Sequence, residues 1–447
     1  MKHITLIWPN IGNLLKGSGE QPYFDKAAME PLPLAAIAAL IPEDFEVVLY
    51  DDRFDEIPFN TPTDLVCISL EIFTARRAYE IADEYRKRNV KVILGGIHAS
   101  LLPDEAAKHA DSVFIGDAEM VWHEVMYDLV AGKLRKVYTG SISNQILSKF
   151  PRRDIYKKHP YLPLMLLQFG RGCPYSCNFC AISACFKQTH ITRLVSDVVN
   201  EIKADGRKLL FFVDDNIVAN PKAAKELFKA LIPLNIKWMG QASIDMANDE
   251  ELLDLMNKSG CLGHVIGFES VASEGLRQLN KQVNLVKYNQ YESQIRLLTK
   301  HGVQIWAAMV IGHDADTPDT LKQTLEFTRY HNFAFAAFNI LMPYPQTPLF
   351  EELKVQKRLL FNEEWWLHPN YRFNQAAFIP KHFTPEELTI ACQTMKNEYN
   401  SYSSIFQRVI KAAAVRKNLS AATFLWRYGY LFRTESYKKK YLKLGKI

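Results

Sequence analysis

Seven cysteines are spread over 447 residues, yet Cys173, Cys177 and Cys180 fall together in Arg171-Gly172-Cys173-Pro174-Tyr175-Ser176-Cys177-Asn178-Phe179-Cys180. Three thiolates at C-x3-C-x2-C spacing on one loop suit three irons of a [4Fe–4S] cube, leaving the fourth iron open to a ligand that is not protein. A zinc ion would need a fourth ligand, for which Cys185 and His190 are the nearby candidates. Buried, chemically idle cysteines are the third reading. An odd cysteine count, with four of the seven crowded into 173–185, is not a secreted disulfide framework and suits a reduced compartment.

Polar groups recur downstream where short apolar runs end. Asp214-Asp215-Asn216 follows Phe211-Phe212-Val213, and either caps the next turn or contacts a ligand. Gln241 and Ser243 close another run. Glu269 follows Gly267-Phe268, where a carboxylate either caps a helix or accepts two hydroxyl protons. Gly312-His313-Asp314 ends a fourth run.

These groups need elements to hold them. Over 1–140, strands are expected at Ile4–Trp8, Glu46–Tyr50, Leu65–Leu70, Lys91–Leu94 and Ser112–Ile115, with helices at Leu34–Leu40 and about 74–88. Short β-branched runs alternating with helices predict a parallel sheet covered on both faces, with ligands beyond the carboxyl ends of its strands. Asp51-Asp52, Gly95-Gly96-Ile97-His98 and Gly116-Asp117-Ala118-Glu119 lie at such ends. From the residues alone they read first as ordinary βα turns. Residues 141–163 read as a linker. From 164 to 349, six strands are expected at 164–169, 209–213, 237–242, 264–268, 304–310 and 336–342, with helices between them. Six strand–helix units in order predict a barrel or partial barrel with its site at the carboxyl ends. Residues 350–447 read as an aromatic-rich helical region with helices at 385–400 and 402–417 and a basic tail. The fold class is α/β.

The chain is 48% hydrophobic and carries a formal charge of +5, which excludes a disordered or collagen-like protein. Residues 401–447 hold 11 Lys or Arg against Glu435 alone, so residues 1–400 are net acidic. An acidic body argues against nucleic acid, and the tail suits an anionic lipid surface or another acidic partner. With no signal sequence and no long apolar segment, a cytoplasmic location is expected, peripheral to the membrane if the tail meets lipid.

The cysteine run resembles that of the radical S-adenosylmethionine (radical SAM) superfamily. The resemblance implies that Cys173, Cys177 and Cys180 ligate the cluster and that S-adenosylmethionine binds the open iron. Reductive cleavage of that cofactor, by an electron from a donor such as flavodoxin or ferredoxin, would yield a 5′-deoxyadenosyl radical. Phe179 would shield the cluster beside the adenine, Glu269 would hold ribose hydroxyls, and Asp214, Asp215, Gln241, Ser243 and Gly312 would complete the cradle. The first region is similar to the Rossmann-like cobalamin-binding domain of a large branch of that superfamily. The likeness rests on Asp64-Leu65-Val66-Cys67-Ile68-Ser69, the Gly95–Glu105 stretch and Asp111–Glu119, and with Pro343–Leu349 it spans nearly all of the chain. It implies corrin contacts from Asp51, Asp52, Ser69, Gly95, Gly96, His98, Gly116 and Glu119.

The Asp-x-His-x-x-Gly signature that places a histidine below cobalt is missing, for Asp51-Asp52-Arg53-Phe54-Asp55-Glu56 has no histidine. The lower corrin face would then meet Leu70, Glu71, Phe73 or Thr74, while His98 packs within its own loop. The resemblance implies a methylase. One S-adenosylmethionine would charge the cobalamin with a methyl group, a second would generate the radical on an unactivated carbon, and both would act in a cavity between the two domains. A lipid or tetrapyrrole-like small molecule is the favoured substrate, with Trp365, Trp366, Tyr371, Phe373 and Phe378 as lining or as ordinary core. Rearrangement or cyclisation without methyl transfer, and a sensor or electron carrier without turnover, are the alternatives.

Overall fold

The computed structural model describes residues 2–16, 19–22, 28–140, 149–286 and 288–416, with 425–427, 429–431, 433–434 and 442–446 near the C-terminus. The chain forms two compact units. Residues 1–162, 361–373 and 441–447 make the first, and 163–360 with 374–440 the second.

In the first unit, six parallel strands stand in the order β2-β1-β3-β4-β5-β6. They are β1 (Lys2–Trp8), β2 (Phe45–Asp51), β3 (Leu65–Ser69), β4 (Lys91–Gly95), β5 (Ser112–Ile115) and β6 (Val137–Thr139). The apolar runs of β1 and β3 are buried on both faces, as a helix-covered parallel sheet demands. Helices α1 (Leu32–Leu40), α2 (Ala75–Lys87) and α3 (Trp122–Val130) connect the strands. The order reverses between β1 and β3, which makes their carboxyl ends the crevice of a doubly wound sheet.

In the second unit, β7 (Met165–Leu167), β8 (Leu209–Phe212), β9 (Lys237–Ala242), β10 (Cys261–Glu269), β11 (Gln304–Ile311) and β12 (Phe335–Ile340) pair in chain order, all parallel. A sheet that adds strands consecutively with helical crossovers is the wall of a partial barrel, with β7 and β12 at its edges. Helices such as α4 (Pro221–Leu231), α5 (Glu250–Lys258) and α6 (Pro318–Tyr330) follow the strands as their periodicity predicts. Helix α7 (Pro385–Tyr399) starts at a Thr384/Glu387 capping box and buries Leu388, Cys392, Met395 and Tyr399 at helical spacing. Helix α8 (Tyr402–Arg416) follows. Among the described residues no helix is long and apolar enough to cross a membrane.

Three parts of the chain divide differently from the sequence expectation. Residues 149–162, read as linker, belong to the first unit, where Tyr156 is buried and Tyr161 bonds Asp51. The stretch 361–373 leaves the C-terminal region and also joins that unit, as do residues 441–447. Lys443–Leu444 pairs antiparallel with Gly12–Lys16. The aromatics read as a candidate pocket are therefore core. Trp365, Trp366, Tyr371 and Phe378 are buried, and Trp365 and Phe373 pack on Phe73 with ring centroids 5.3 and 4.9 Å away.

Candidate active site

The cysteine loop hangs from a two-stranded stem. Gly170–Gly172, just beyond β7, pairs antiparallel with His190–Thr192 and brackets residues 173–189. Glycine is required at Gly172, which has φ +84°, and at Gly170 it leaves room for a neighbouring side chain. A Cβ on Gly170 would stand 2.7 Å from His190 Nε2, and one on Gly172 would stand 2.1 Å from the Thr189 carbonyl oxygen. The strand-end carboxylates hold this stem. Asp214 accepts the N–H groups of Phe169 (3.0 Å) and Gly170, and Asp215 accepts that of Gly172 at 2.9 Å. Burial pushes Asp214 up to about 7 against those two N–H donors, and raises Asp215 as well. Asp214 is completely buried, so it positions the loop and does not face a ligand. Gln241 Nε2 donates to the Asp214 carbonyl at 3.3 Å, and Ser243 is bonded to Asn216 at 3.0 Å.

Further ties come from residues that carried no signal in the sequence. Asn178 donates from its backbone to the Leu279 carbonyl (3.2 Å) and from Nδ2 to that of Gln278 (2.6 Å). Asn280 Nδ2 reaches the Ser176 carbonyl at 2.7 Å, Tyr175 donates to Asp245 at 2.8 Å, and Leu349 donates to the Asn178 carbonyl at 3.0 Å. Loops after β9, β10 and β12 thus fix one cysteine loop.

Glu269, the last residue of β10, sits at a register shift with φ +63°, a conformation that costs a non-glycine residue about 1 kcal/mol or more. Its carboxylate is nearly buried and accepts from Lys281 Nζ at 2.9 Å. A side chain on Gly267 would collide with this pair, since its Cβ would lie 2.2 Å from Glu269 Oε1. Burial works against the Lys281 charge, but Glu269 and the Cys177 thiol hold its pKa above the usual lysine range. In return Lys281 favours thiolates. Burial pushes Cys177 up to about 11 and raises Cys173, while Lys281 draws both down.

Gly312 (φ +100°) has a different job from the expected cradle. A Cβ there would stand 2.5 Å from Leu388 Cδ2, so this glycine lets α7 pack onto the strand end. Its neighbour His313 is buried between Ser270 Oγ (3.2 Å) and Asp316 Oδ1 (3.3 Å). Phe179 is half-buried against the core.

The loop offers three cysteines at the spacing that suits a cluster. All seven cysteines are free. Among the described residues no three His, Cys, Asp or Glu side chains stand gathered as a metal site, and a zinc ion takes all its ligands on one centre. A cube instead takes each thiolate on a separate iron. Two buried acceptors beside the loop, Asn178 Oδ1 and Asp245 Oδ1, lack partners among the described residues. A ligand bearing an amine and hydroxyls supplies the missing donors.

In the first unit the expected corrin contacts divide. Asp51 and Asp52 are buried and saturated. Arg53 chelates Asp51 (2.9 and 2.6 Å) and Tyr161 donates to it at 2.8 Å. Arg77 forks onto Asp52 at 2.9 and 3.0 Å, with Lys446 Nζ at 2.7 Å. These carboxylates lock β2 and the end of the chain, which corrects their reading as ligand contacts. His98 is also internal. Its Nε2 lies 2.9 Å from Glu105, which also accepts from Tyr79 (2.8 Å) and Trp366 (3.0 Å). Burial opposes the Glu105 charge, yet these donors hold its pKa below the usual range. Gly96 (φ +99°) is glycine because a Cβ would lie 2.6 Å from the Leu70 carbonyl oxygen and 3.2 Å from Ser69 Oγ. Gly95 has room for an ordinary contact, and Gly116 takes the hydroxyl oxygen of Ser100 on its N–H at 2.9 Å. Glu119 is half-buried.

Beyond β3, Leu70 and Thr74 are buried, whereas Glu71 and Phe73 are half-buried. Thr74 and Glu71 form a reciprocal cap, with Glu71 N–H donating to Thr74 Oγ1 at 3.1 Å. Burial pushes the Glu71 carboxyl from its ordinary 4.5 up to about 7, against the N–H of Phe73. A raised carboxyl adds stability that is full below pH 4.5 and lost as pH rises through about 7. Glu71→Gln keeps the acceptor without the charge. The variant is expected to outlast the parent at pH 8 by on the order of 2 kcal/mol, and by much less at pH 5, in urea unfolding.

Residues 167–328 match the radical SAM superfamily. Over 427 residues the chain is 28% identical to bacteriochlorophyllide d C-12(1)-methyltransferase of Chlorobaculum tepidum, covering 93% of this chain and 90% of that protein. It is similar in structure to the radical S-adenosylmethionine methyltransferase TsrM of Kitasatospora setae (TM-score 0.62, 18% identical, 80% of this chain and 78% of that one). It is similar also to the cobalamin-dependent S-adenosylmethionine radical enzyme OxsB (TM-score 0.67, 15% identical, 98% and 72%).

Proposed function

We propose, for a chain that carries a radical SAM domain and the fold of cobalamin-binding radical SAM enzymes, that it methylates an unactivated carbon of an apolar, tetrapyrrole-like substrate. The observation that carries the reading is the Cys173–Cys180 loop. It is fixed by three strand-end loops beside the Glu269–Lys281 pair, in a chain that also contains a doubly wound sheet with its own switch point. The substrate class is supported by the likeness to a bacteriochlorophyllide methyltransferase along almost the whole chain.

Cys173, Cys177 and Cys180 would hold a [4Fe–4S] cluster, and Asn178 and Asp245 offer acceptors to S-adenosylmethionine. A corrin would lie at the carboxyl ends of β1 and β3, against Glu71 and Phe73. When bound, these groups supply radical generation and methyl transfer. The protein contributes orientation and exclusion of water. Lys281 keeps positive charge beside the thiolates, and the stem glycines and Asp214 set the loop's place. His98 is engaged by Glu105, which supports cobalamin without a histidine below the metal.

The test is an anaerobic assay with reconstituted cofactors, a bacteriochlorophyllide-type tetrapyrrole and S-adenosylmethionine labelled in its methyl group. Both S-adenosylhomocysteine and 5′-deoxyadenosine are expected, with label in the product. Deoxyadenosine alone would mean rearrangement or cyclisation, and neither product would mean a sensor.

A further inference from the structure

Helix α8 has one face that is spent and one that is not. Ile405 is buried, and Arg408 turns inward. Its guanidinium lies 4.2 Å over the Tyr399 ring and donates to the Ala334 carbonyl at 3.2 Å. Tyr402, Phe406 and Ile410, spaced four residues apart, form a stripe on the other face. Each is at least half exposed, 50–57%.

A second helical stretch, containing 425–427, 429–431 and 433–434, repeats the pattern. Leu425 and Gly429 are buried, and a Cβ on Gly429 would lie 3.2 Å from Ile405 Cγ2, so this stretch packs on α8 there. Trp426 and Tyr430 are about half exposed, at 49 and 56%. Arg433 joins the two pieces, 4.3 Å over the Tyr402 ring and bonded to the Asn400 carbonyl at 2.9 Å.

The described cations exposed on the two helical pieces are Lys411 and Arg427, within a sequence stretch that is strongly basic. Residues 401–447 contain 11 cations and one acid. Arg408, Arg433 and Lys446 are used internally, while Lys411 and Arg427, on the same two helices, are exposed. A soluble second copy docked here would oppose cation to cation. An anionic lipid surface matches both the charge and the aromatic stripe, since Trp and Tyr favour the depth of the headgroups and cations add attraction to acidic lipid.

We propose that α8 and the helical residues 425–427, 429–431 and 433–434 form an interfacial anchor that lays this protein on an anionic membrane, with Tyr402, Phe406, Ile410, Trp426 and Tyr430 as its apolar contact. The proposal is independent of the reaction assigned above. Its test is flotation of the full-length protein with vesicles of phosphatidylcholine alone, or of equal parts phosphatidylcholine and phosphatidylglycerol. Binding is expected to the mixed vesicles only, and raising the salt should weaken it without abolishing it. Phe406→Glu with Ile410→Glu should reduce binding by on the order of tenfold or more with an unchanged thermal midpoint, because both side chains are exposed. Failure to bind the mixed vesicles, or equal binding by the double variant, would overturn the anchor. So would a concentration-dependent dimer that the double variant abolishes, since the face would then belong to a second copy.

Discussion

Cys173→Ala protein, prepared and reconstituted without oxygen, is expected to bring the yield of 5′-deoxyadenosine down by at least about a thousandfold, some 4 kcal/mol in barrier terms. The size follows from what the residue does. In the proposed role three thiolates leave no spare ligand, so losing one would remove the anchor of an iron and not merely a neighbour of it. The fold should survive, because the loop is tied by Asn178, Asn280, Tyr175 and Asp215 rather than by sulfur. Iron and sulfide content, far-ultraviolet circular dichroism and deoxyadenosine yield together check the result. Cleavage of S-adenosylmethionine at the parent rate would reject the assigned role of Cys173.

Lys281→Gln is expected to destabilise the protein by about 3 kcal/mol, because it strands the buried Glu269 carboxylate beside thiols that also resist negative charge. Glu269→Gln leaves a buried ammonium and should cost a similar amount. The double variant should recover most of the loss, since two neutral amides can bond each other across the same 2.9 Å gap. Urea midpoints of the four proteins read this directly. Additive losses would show that the two residues act separately.

Much of this was legible in the sequence because it is local. The C-x3-C-x2-C run, the alternation of short apolar strands with helices, and the strand-ending glycines each declare themselves within about ten residues. Helix α7, expected at 385–400, forms at Pro385–Tyr399. The partners of the strand-end acids were not. Asp52 meets Arg77 at a separation of 25 residues and Lys446 at 394, and Asp51 meets Tyr161 at 110. A carboxylate at a strand end looks ready for a ligand until such partners are found. Asp214 misled in the same way, since its acceptors are filled by backbone N–H groups on the neighbouring strand's extension. Aromatic composition announced burial for Trp365 and Trp366 but not the address, because hydrophobicity has no direction. Lys281 was missed outright. A lysine in a polar turn carries no mark until the fold sets it against Glu269.

The first unit is stitched from three separated lengths of one chain. During synthesis its sheet leaves the ribosome long before Trp365, Trp366 and Phe373 exist to close over Phe73, and Asp52 is made 394 residues ahead of its partner Lys446. At ordinary elongation rates that interval is on the order of tens of seconds. The sheet of this unit is therefore made well before the residues that cover it, and its assembly must wait for 361–373 and 441–447.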